Sequence, residues 1–263
     1  MSQLTDTQLD DWARRLRQAA DDARPIQPLT AAVPGLTVQD AYAIAERLVA
    51  GRLRDGARIA GRKIGLTSLA VQQQLGVSEP DYGALLDTMQ LADGAIVEAV
   101  RYIAPRVELE LAFHLREPLS GPGVTAEDVR AATAYVQPSF ELVDSRVVDW
   151  RIALPDTVAD NASSAAFVLG GEQVRLDDID VTAVKAQLRR GDEAVETGTT
   201  SAVLGDPCAA VAWLANALAP FDARLQAGDV ILSGACTRMA PARAGDRFVG
   251  DFGELGRVEL GFA

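Results

Sequence analysis

The amino-acid sequence predicts an α+β fold, in which a small N-terminal helical part precedes a mixed β-sheet core. Apolar residues recur at helical spacing near the N-terminus, and prolines interrupt them between residues 25 and 34. Farther along, polar and apolar residues alternate in short runs that are typical of half-buried strands. We therefore expect residues 1–56 to form the helical part and residues 57–263 to form a mixed α/β domain.

The helices are predicted from apolar spacing and from capping residues at their first turns. The expected helices are 5–23, 38–53, 125–134 and 206–218, with a further short helix at 70–75. The helix that follows Asp206-Pro207 contains the longest apolar stretch, residues 208–220. Because this stretch is shorter than the roughly 20 residues that cross a bilayer, it predicts a buried helix and not a membrane span.

The strands are predicted from alternation and from the turn residues that bound them. The expected strands are 58–64, 106–115, 136–143, 165–169, 184–188, 193–197, 230–233 and 247–252, with a final strand after Gly256. Gly191-Asp192 predicts a hairpin between the fifth and sixth of these strands. Residues 79–83 and 156–164 are expected to be loops.

Composition limits the possible partners and the compartment. The formal net charge of −12 and the pI of about 4.6 make nucleic acid and anionic membranes poor partners. The N-terminus is polar and acidic, unlike a secretory signal, and only two cysteines occur. These features favour the cytoplasm, and they favour a metal or local cations wherever an anionic small molecule binds.

Three glutamates point most directly to chemistry. Glu108 and Glu110 lie on one face of the strand 106–115, about 6–7 Å apart at the backbone. At that separation two carboxylates repel each other by about 2–3 kcal/mol. A solvated strand face would explain this pair alone, but Glu141 lies in an apolar run, where an unpaired carboxylate is costly. The three carboxylates therefore predict a site for a hard divalent cation such as Mg²⁺.

Lys63 is the next candidate. The chain has only two lysines, Lys63 and Lys185, among 25 basic residues. Lys63 ends an apolar strand beside Gly65, which is also compatible with an ordinary surface lysine. A lysine can release its proton when its surroundings lower its pKa, whereas an arginine cannot.

Several segments together resemble the 2-keto-4-pentenoate hydratase group, which includes 2-oxohept-4-ene-1,7-dioate hydratase and 4-oxalocrotonate decarboxylase and belongs to the fumarylacetoacetate-hydrolase-like superfamily. No single segment is decisive, but the set covers nearly the whole chain in order. The matching segments are GRKIGLTS (61–68), QQQLGVSEPDYG (72–83), PRVELELAF (105–113), ELVDSRVVDW (141–150), DTVADNASSAAFVLGG (156–171), VLGDP (203–207), VAWLANALA (211–219) and GDVILSGACT (228–237).

The resemblance implies roles for particular residues and a fumarylacetoacetate-hydrolase-like fold. Glu108, Glu110 and Glu141 fall on the metal ligands of the family, usually for Mg²⁺ or Mn²⁺. Lys63 and Asp81 fall on the acid/base positions, and Ser163 lies in a loop expected to contact the substrate. The resemblance also implies a homo-oligomer, often ring-shaped.

The implied activity is a metal-dependent hydro-lyase of aromatic-compound catabolism. It would add water to 2-hydroxypenta-2,4-dienoate (2-keto-4-pentenoate) and form 4-hydroxy-2-oxopentanoate. The alternatives are hydration of the seven-carbon dioate, decarboxylation of 4-oxalocrotonate, C–C bond hydrolysis, and non-catalytic binding of oxo acids. C–C hydrolysis is disfavoured because His114 is the only histidine. Arg238 is the one candidate that the sequence offers for a second substrate carboxylate, and the five-carbon monocarboxylate is the expected substrate.

Overall fold

The N-terminal part of the protein is helical, as predicted. The computed structural model describes residues 4–68, 72 and 79–263. The first helices are α1 (Asp6–Asp21), α2 (Leu29–Ala32) and α3 (Val38–Arg54). Thr5 and Thr37 cap α1 and α3 through capping boxes. The apolar faces of these helices form a core cluster of their own, which also includes Val147 and Val158. The division at residue 56 stays a prediction, and the predicted helix at 70–75 lies almost wholly outside the described residues.

The rest of the protein is mainly two β-sheets. The strands are β1 (Ile59–Gly65), β2 (Asp81–Leu86), β3 (Gln90–Leu91), β4 (Ala95–Val97), β5 (Arg106–Leu115), β6 (Thr133–Val143), β7 (Ser164–Leu169), β8 (Lys185–Arg190), β9 (Glu193–Thr199), β10 (Val230–Ala235), β11 (Ala240–Pro241), β12 (Arg247–Asp251) and β13 (Arg257–Phe262). The first sheet has the order β2-β1-β10-β5-β6-β7-β3, with β11 paired to β5. The second sheet has the order β4-β13-β12-β8-β9.

The two sheets pack through the odd-numbered face of β5. Gly250 on β12 lies so close to Leu109 and Phe140 that an added methyl group would meet both side chains. Residues on the even-numbered face of β5, such as Ala112, pack instead in a smaller cluster with Phe167. The main core thus occupies one face of β5, and the opposite face carries Glu108 and Glu110.

Three later helices complete the fold: α4 (Ala126–Ala132), α5 (Leu154–Ala159) and α6 (Pro207–Leu218). The stretch Thr200–Phe221, which contains α6, is long and apolar enough to cross a membrane by length and composition. Half of its apolar window is buried in the protein, and most residues of α6, including Val211 and Leu214, are buried in the main core. The prediction of a buried helix is therefore confirmed.

Two predicted loops are wrong in part. Residues 79–83 are not all turn, because Asp81 pairs with Gly65 and begins β2. The segment 156–164 includes most of α5, because Asp156 accepts a hydrogen bond from the Ala153 backbone and stabilises the first turn of the helix. At Asp81 strand pairing outweighs the local turn preference, whereas at Asp156 a local cap begins a helix.

Candidate active site

The three glutamates come together where β5 and β6 pair. These strands are antiparallel, and Glu108 and Glu141 are direct cross-strand partners. Glu110 lies two residues along β5, on the same face as Glu108. Each glutamate offers an oxygen atom, and these three oxygens lie within 4.8 Å of one another. The spacing fits a shared cation, and the donor set consists only of carboxylate oxygens, which suit Mg²⁺ and similar hard ions.

The surroundings of these carboxylates do not satisfy them. Glu110 and Glu141 are fully buried. Among the described residues, Oε1 of Glu110 and both carboxylate oxygens of Glu141 lack a hydrogen-bond partner of good geometry. Burial raises the pKa of Glu141 to about 7, and burial together with the neighbouring glutamates raises the pKa of Glu110 well above its ordinary value. A divalent cation would satisfy these oxygens and hold the carboxylates ionised, so the site fits a metal ion.

A bulge in β10 supplies one further contact to this cluster. The register between β10 and β5 shifts between Leu232 and Ala235, and the backbone N–H of Gly234 donates to Oε2 of Glu110 at 2.7 Å. Gly234 has a φ of +113°, and a methyl group added there would lie 2.3 Å from the Thr67 hydroxyl. Glycine is therefore required at this position, because the bulge must aim its N–H at Glu110.

Lys63 lies next to the glutamates, on β1. Its Nζ is 3.3 Å from Oε2 of Glu141 and donates to the backbone carbonyl of Ala162 at 3.2 Å. Burial acts to lower the pKa of Lys63, but four carboxylates, led by Glu141 and Asp81, outweigh burial and raise its pKa above the ordinary value. Lys63 is therefore protonated in the metal-free protein, and a lowering of its pKa by a bound cation stays a prediction.

Asp81 faces the same space from the neighbouring strand. It is buried, and a methyl group added to Gly65 would lie 2.2 Å from its Oδ1 and 3.1 Å from Nζ of Lys63. Burial raises the pKa of Asp81, and the lysine partly offsets that effect. Its Oδ1 has no hydrogen-bond partner among the described residues. Lys63 and Asp81 therefore face the same space beside Gly65, where any larger residue would displace them.

The carbonyl that holds Lys63 belongs to a strained turn. Asn161, Ala162 and Ser163 have φ values of +55°, +50° and +54°, which are unusual for three successive residues other than glycine. Asp160, just before them, forms a buried ion pair with Arg146, with Nε and Oδ1 2.5 Å apart. We call the segment 160–164 the site loop.

Arg146 fixes the site loop through nearly all of its donors. Besides the ion pair, its backbone N–H donates to Oδ2 of Asp160 at 2.9 Å. Its guanidinium also donates to the backbone carbonyls of Asp144, Asp160 and Ser164. This network stabilises the left-handed turn and so holds the Ala162 carbonyl against Lys63. Sequence reasoning missed Arg146 because no periodicity links it to Asp160.

Asn161 attaches the site loop to β2, which is the edge of the first sheet. Its side-chain amide donates to the carbonyl of Ala84 at 2.9 Å and accepts from the N–H of Ala84 at 2.7 Å. The amide therefore pairs with the strand as another backbone would. Ser163 is buried on the opposite side of the loop, where its hydroxyl contacts Asp160 and Thr157 at 3.3 and 3.4 Å. Its contact with substrate stays a prediction.

Of the three glutamates, Glu108 lines a cleft of about 1110 Å³ between the end of β1, β5 and the strand β9 of the second sheet. Two arginines line this cleft, Arg106 and Arg238. His114 does not line it: the imidazole stacks on Tyr135, with ring centres 4.3 Å apart. The histidine is therefore a packed side chain, which further disfavours a histidine-assisted hydrolysis.

The chain resembles proteins of known family over nearly its full length. Residues 85–262 match the family described as fumarylacetoacetate (FAA) hydrolase, C-terminal. A 2-keto-4-pentenoate hydratase from Dechloromonas aromatica is 47% identical over 95% of this chain and 96% of its own. A 2-oxo-hept-4-ene-1,7-dioate hydratase from Escherichia coli is 43% identical over 95% of this chain and 96% of its own.

Among solved structures, the chain is similar to 4-oxalocrotonate decarboxylase from Pseudomonas putida G7, complexed with magnesium and adipate. The TM-score is 0.98 at 35% identity, and the match covers 100% of both chains.

Proposed function

The chain belongs to the fumarylacetoacetate hydrolase family and is a hydratase of the 2-keto-4-pentenoate hydratase type, a hydro-lyase of aromatic catabolism, and from this premise we propose how its residues divide the reaction. The proposed substrate is 2-hydroxypenta-2,4-dienoate, and the product is 4-hydroxy-2-oxopentanoate. The observation that carries the proposal is the cluster of three carboxylate oxygens within 4.8 Å, with Lys63 as the adjoining cation.

Glu108, Glu110 and Glu141 would hold Mg²⁺ or Mn²⁺. The unsatisfied oxygens of Glu110 and Glu141 support this assignment, as does the magnesium in the similar decarboxylase structure. When bound, such an ion would act as a Lewis acid toward the 2-oxo acid and stabilise the negative charge that develops on it.

Lys63 would move protons, and Asp81 would orient it or the attacking water. Lys63 is protonated in the metal-free protein and has hydrogen-bond capacity left after its contacts with Glu141 and Ala162. Asp81 has an unpaired carboxylate oxygen aimed at the same space. A positioned acid and a positioned base each contribute roughly 10²–10⁴-fold to rate.

The reaction balances with one water and no other reactant. The dienol loses the proton of its 2-hydroxyl and gains one at C5, which gives the conjugated 2-oxo-3-enoate. Water then adds its oxygen to C4, loses a proton to the base, and C3 receives a proton. Lys63 and Asp81 are the residues available for these transfers.

Decarboxylation of 4-oxalocrotonate is the second candidate, because the similar decarboxylase structure matches the whole chain. It would use the same carboxylates and the same charge stabilisation, but it breaks a C–C bond and releases CO₂. The fold and the glutamates do not distinguish the two reactions.

One experiment separates these reactions. Purified protein with Mg²⁺ is incubated with the five-carbon dienol, the seven-carbon diacid or 4-oxalocrotonate, and ultraviolet loss and CO₂ release are followed together. Hydration of the dienol without CO₂ release supports the proposal, and rapid CO₂ release from 4-oxalocrotonate as the dominant activity would replace it. We further propose a cytoplasmic homo-oligomer whose partner is the small oxo acid, and size-exclusion chromatography with light scattering tests the assembly.

A further inference from the structure

The two arginines that line the cleft differ in whether a carboxylate already pairs with the guanidinium group. The side chain of Arg238 is 86% exposed, and Glu196 holds it through two contacts: Nε to Oε2 at 3.2 Å and Nη2 to Oε1 at 2.9 Å. This two-point pairing already uses the face of the guanidinium that a substrate carboxylate would need. Arg238, the candidate from the sequence, is therefore poorly placed to bind a second carboxylate.

Arg106 forms no ion pair within 4.0 Å among the described residues, and Glu108 is the carboxylate that acts on it from a greater distance. Its guanidinium lies over the ring of Trp150, with the carbon 4.2 Å from the ring centre. Its one side-chain hydrogen bond is a long contact, 3.6 Å from Nη1 to the sulfur of Met239, which is a weak acceptor. In the part of the chain that the structure describes, no carboxylate oxygen lies within 4.0 Å of this guanidinium. Stacking on one face leaves the in-plane N–H donors of an arginine available for a carboxylate.

Trp150 is itself fixed in place. Its indole N–H donates to the carbonyl of Ala104 at 2.9 Å. Its backbone and that of Asp149 have φ values of +54° and +56°, which places two successive residues in the left-handed region. Such strain persists where the surrounding structure imposes it, and it is common at ligand sites. Arg106 is therefore held by a rigid support, so that little side-chain entropy remains to be lost when an anion binds.

Arg106 also lies at a useful distance from the metal site. It precedes Glu108 by two residues on β5, so the two side chains share a face and stand about 6–7 Å apart at the backbone. A 2-oxo acid bound at the glutamates through its first carboxylate would extend along the cleft that Arg106 lines. A five-carbon monoacid carries no charge at its far end, whereas a longer diacid carries a carboxylate that could reach the guanidinium.

We propose that Arg106, supported by Trp150, is a carboxylate subsite that lets the cleft take 2-oxo acids with a second, distal carboxylate in addition to the five-carbon monoacid. This inference rests on the proposed function for the position of the first carboxylate. In a protein with a net charge of −12, a dianion needs such a local cation to bind.

The test compares binding of two six-carbon probes, 2-oxoadipate and 2-oxohexanoate, by calorimetry with Mg²⁺ present. They share the 2-oxo acid end and differ only in the distal carboxylate. Arg106→Gln should lower the affinity for 2-oxoadipate, relative to the affinity for 2-oxohexanoate, by about 10- to 100-fold. This is the usual effect of losing a charge-assisted hydrogen bond. Arg238→Gln, the matched control, should keep the wild-type ratio. If Arg106→Gln folds poorly, Arg106→Lys keeps the charge without the two-pronged geometry and should lower the same ratio by a smaller factor.

The outcomes are distinct. The proposed subsite is wrong if Arg106→Gln leaves the ratio of the affinities for 2-oxoadipate and 2-oxohexanoate unchanged. It is also wrong if only Arg238→Gln abolishes the preference for 2-oxoadipate. The ratio of kcat/KM for the seven-carbon diacid to that for the five-carbon dienol should fall in parallel. Because calorimetry requires no turnover, a protein that binds both probes as predicted but hydrates neither substrate would refute the proposed function and leave the subsite standing.

Discussion

The protein contains two buried clusters in which a basic side chain lies beside carboxylates. The clusters differ in how many of their polar atoms have hydrogen-bond partners. In the first cluster, Arg146 and Asp160 are joined by an ion pair, and the remaining donors of the arginine reach backbone carbonyls. In the second, Lys63 contacts Glu141 at 3.3 Å, yet Glu141 and Glu110 keep oxygens without hydrogen-bond partners among the described residues. Both clusters are buried, so burial alone does not reveal which one performs chemistry.

The difference indicates the role of each cluster. A buried charge that is fully hydrogen-bonded stabilises one conformation, and removing a partner is then strongly destabilising. A buried charge that lacks partners costs stability unless a ligand supplies them. The cluster of Arg146 and Asp160 therefore supports the site loop, whereas the unpaired oxygens of the glutamates fit a cation. Variants of the two clusters should have opposite effects on activity and on stability.

The largest expected effect is on turnover. Glu110→Gln and Glu141→Gln should each lower kcat/KM by at least about 10³-fold, because the metal supplies several kcal/mol of transition-state stabilisation. Glu110→Gln should unfold at an unchanged or higher temperature in the absence of metal, since it removes an unsatisfied buried carboxylate. Glu141→Gln also removes the countercharge of the buried Lys63, so its unfolding temperature should be the lower of the two. Glu196→Gln, a carboxylate of the cleft paired with Arg238, is the control. Full turnover of metal-free, chelator-treated protein would refute this assignment.

The next effect isolates proton transfer. Lys63→Arg keeps a positive charge beside Glu141 but holds its proton too tightly for exchange near neutral pH. We expect kcat to fall by roughly 10²–10⁴-fold, the usual contribution of general acid–base catalysis, with little change in metal affinity by calorimetry. Lys185→Arg replaces the only other lysine, which is exposed, and should behave as wild type. Near-normal turnover of Lys63→Arg would leave Asp81 as the sole acid–base candidate.

Substitutions in the cluster of Arg146 and Asp160 should change mainly the stability of the protein. Asp160→Asn leaves Arg146 buried without its countercharge, and we expect the free energy of unfolding to fall by about 3–5 kcal/mol. Asp177→Asn, which removes an exposed partner of Arg175, should cost less than about 1 kcal/mol. Denaturant titration with metal absent measures both. Equal effects of the two substitutions would contradict the distinction between the clusters.

The smallest effect is a pH dependence from outside both clusters. Burial lowers the pKa of His114 to about 4, below the value near 6.5 of an unfolded chain. The unfolded state therefore binds more protons between these values, and stability is full above pH 6.5 and declines as pH falls toward 4. The decline should be less than the ~1.4 kcal/mol per pH unit of a whole proton, because the ring is partly exposed.

His114→Phe keeps a ring that can stack on Tyr135 but does not titrate. The difference in unfolding free energy between wild type and this variant should therefore change between pH 6.5 and 4 and stay constant above pH 7. A constant difference across the whole range would show that His114 is protonated equally in the folded and unfolded states.

The sequence predicts the strands that carry the glutamates better than it predicts the tertiary contacts around them. Alternation along β5 is a local pattern, so it predicts the shared face of Glu108 and Glu110 correctly. The approach of Glu141 follows from the need of buried carboxylates for a partner. Arg146 and Asp160 are 14 residues apart without periodicity, and Arg106 and Trp150 are farther apart still, so only tertiary structure reveals those contacts. The left-handed turn is equally hidden, because Asn161-Ala162-Ser163 contains no glycine.

Asn161 has a consequence for the protein in solution. An edge strand presents unpaired N–H and C=O groups that can recruit another chain into the sheet. The amide of Asn161 pairs with both the N–H and the C=O of Ala84 on β2, an edge strand of the first sheet. At this position another chain therefore cannot pair with the strand. The next residue offers the carbonyl that Lys63 binds. A change in this short turn would therefore disturb the edge of the sheet and the carbonyl that holds Lys63 at the same time.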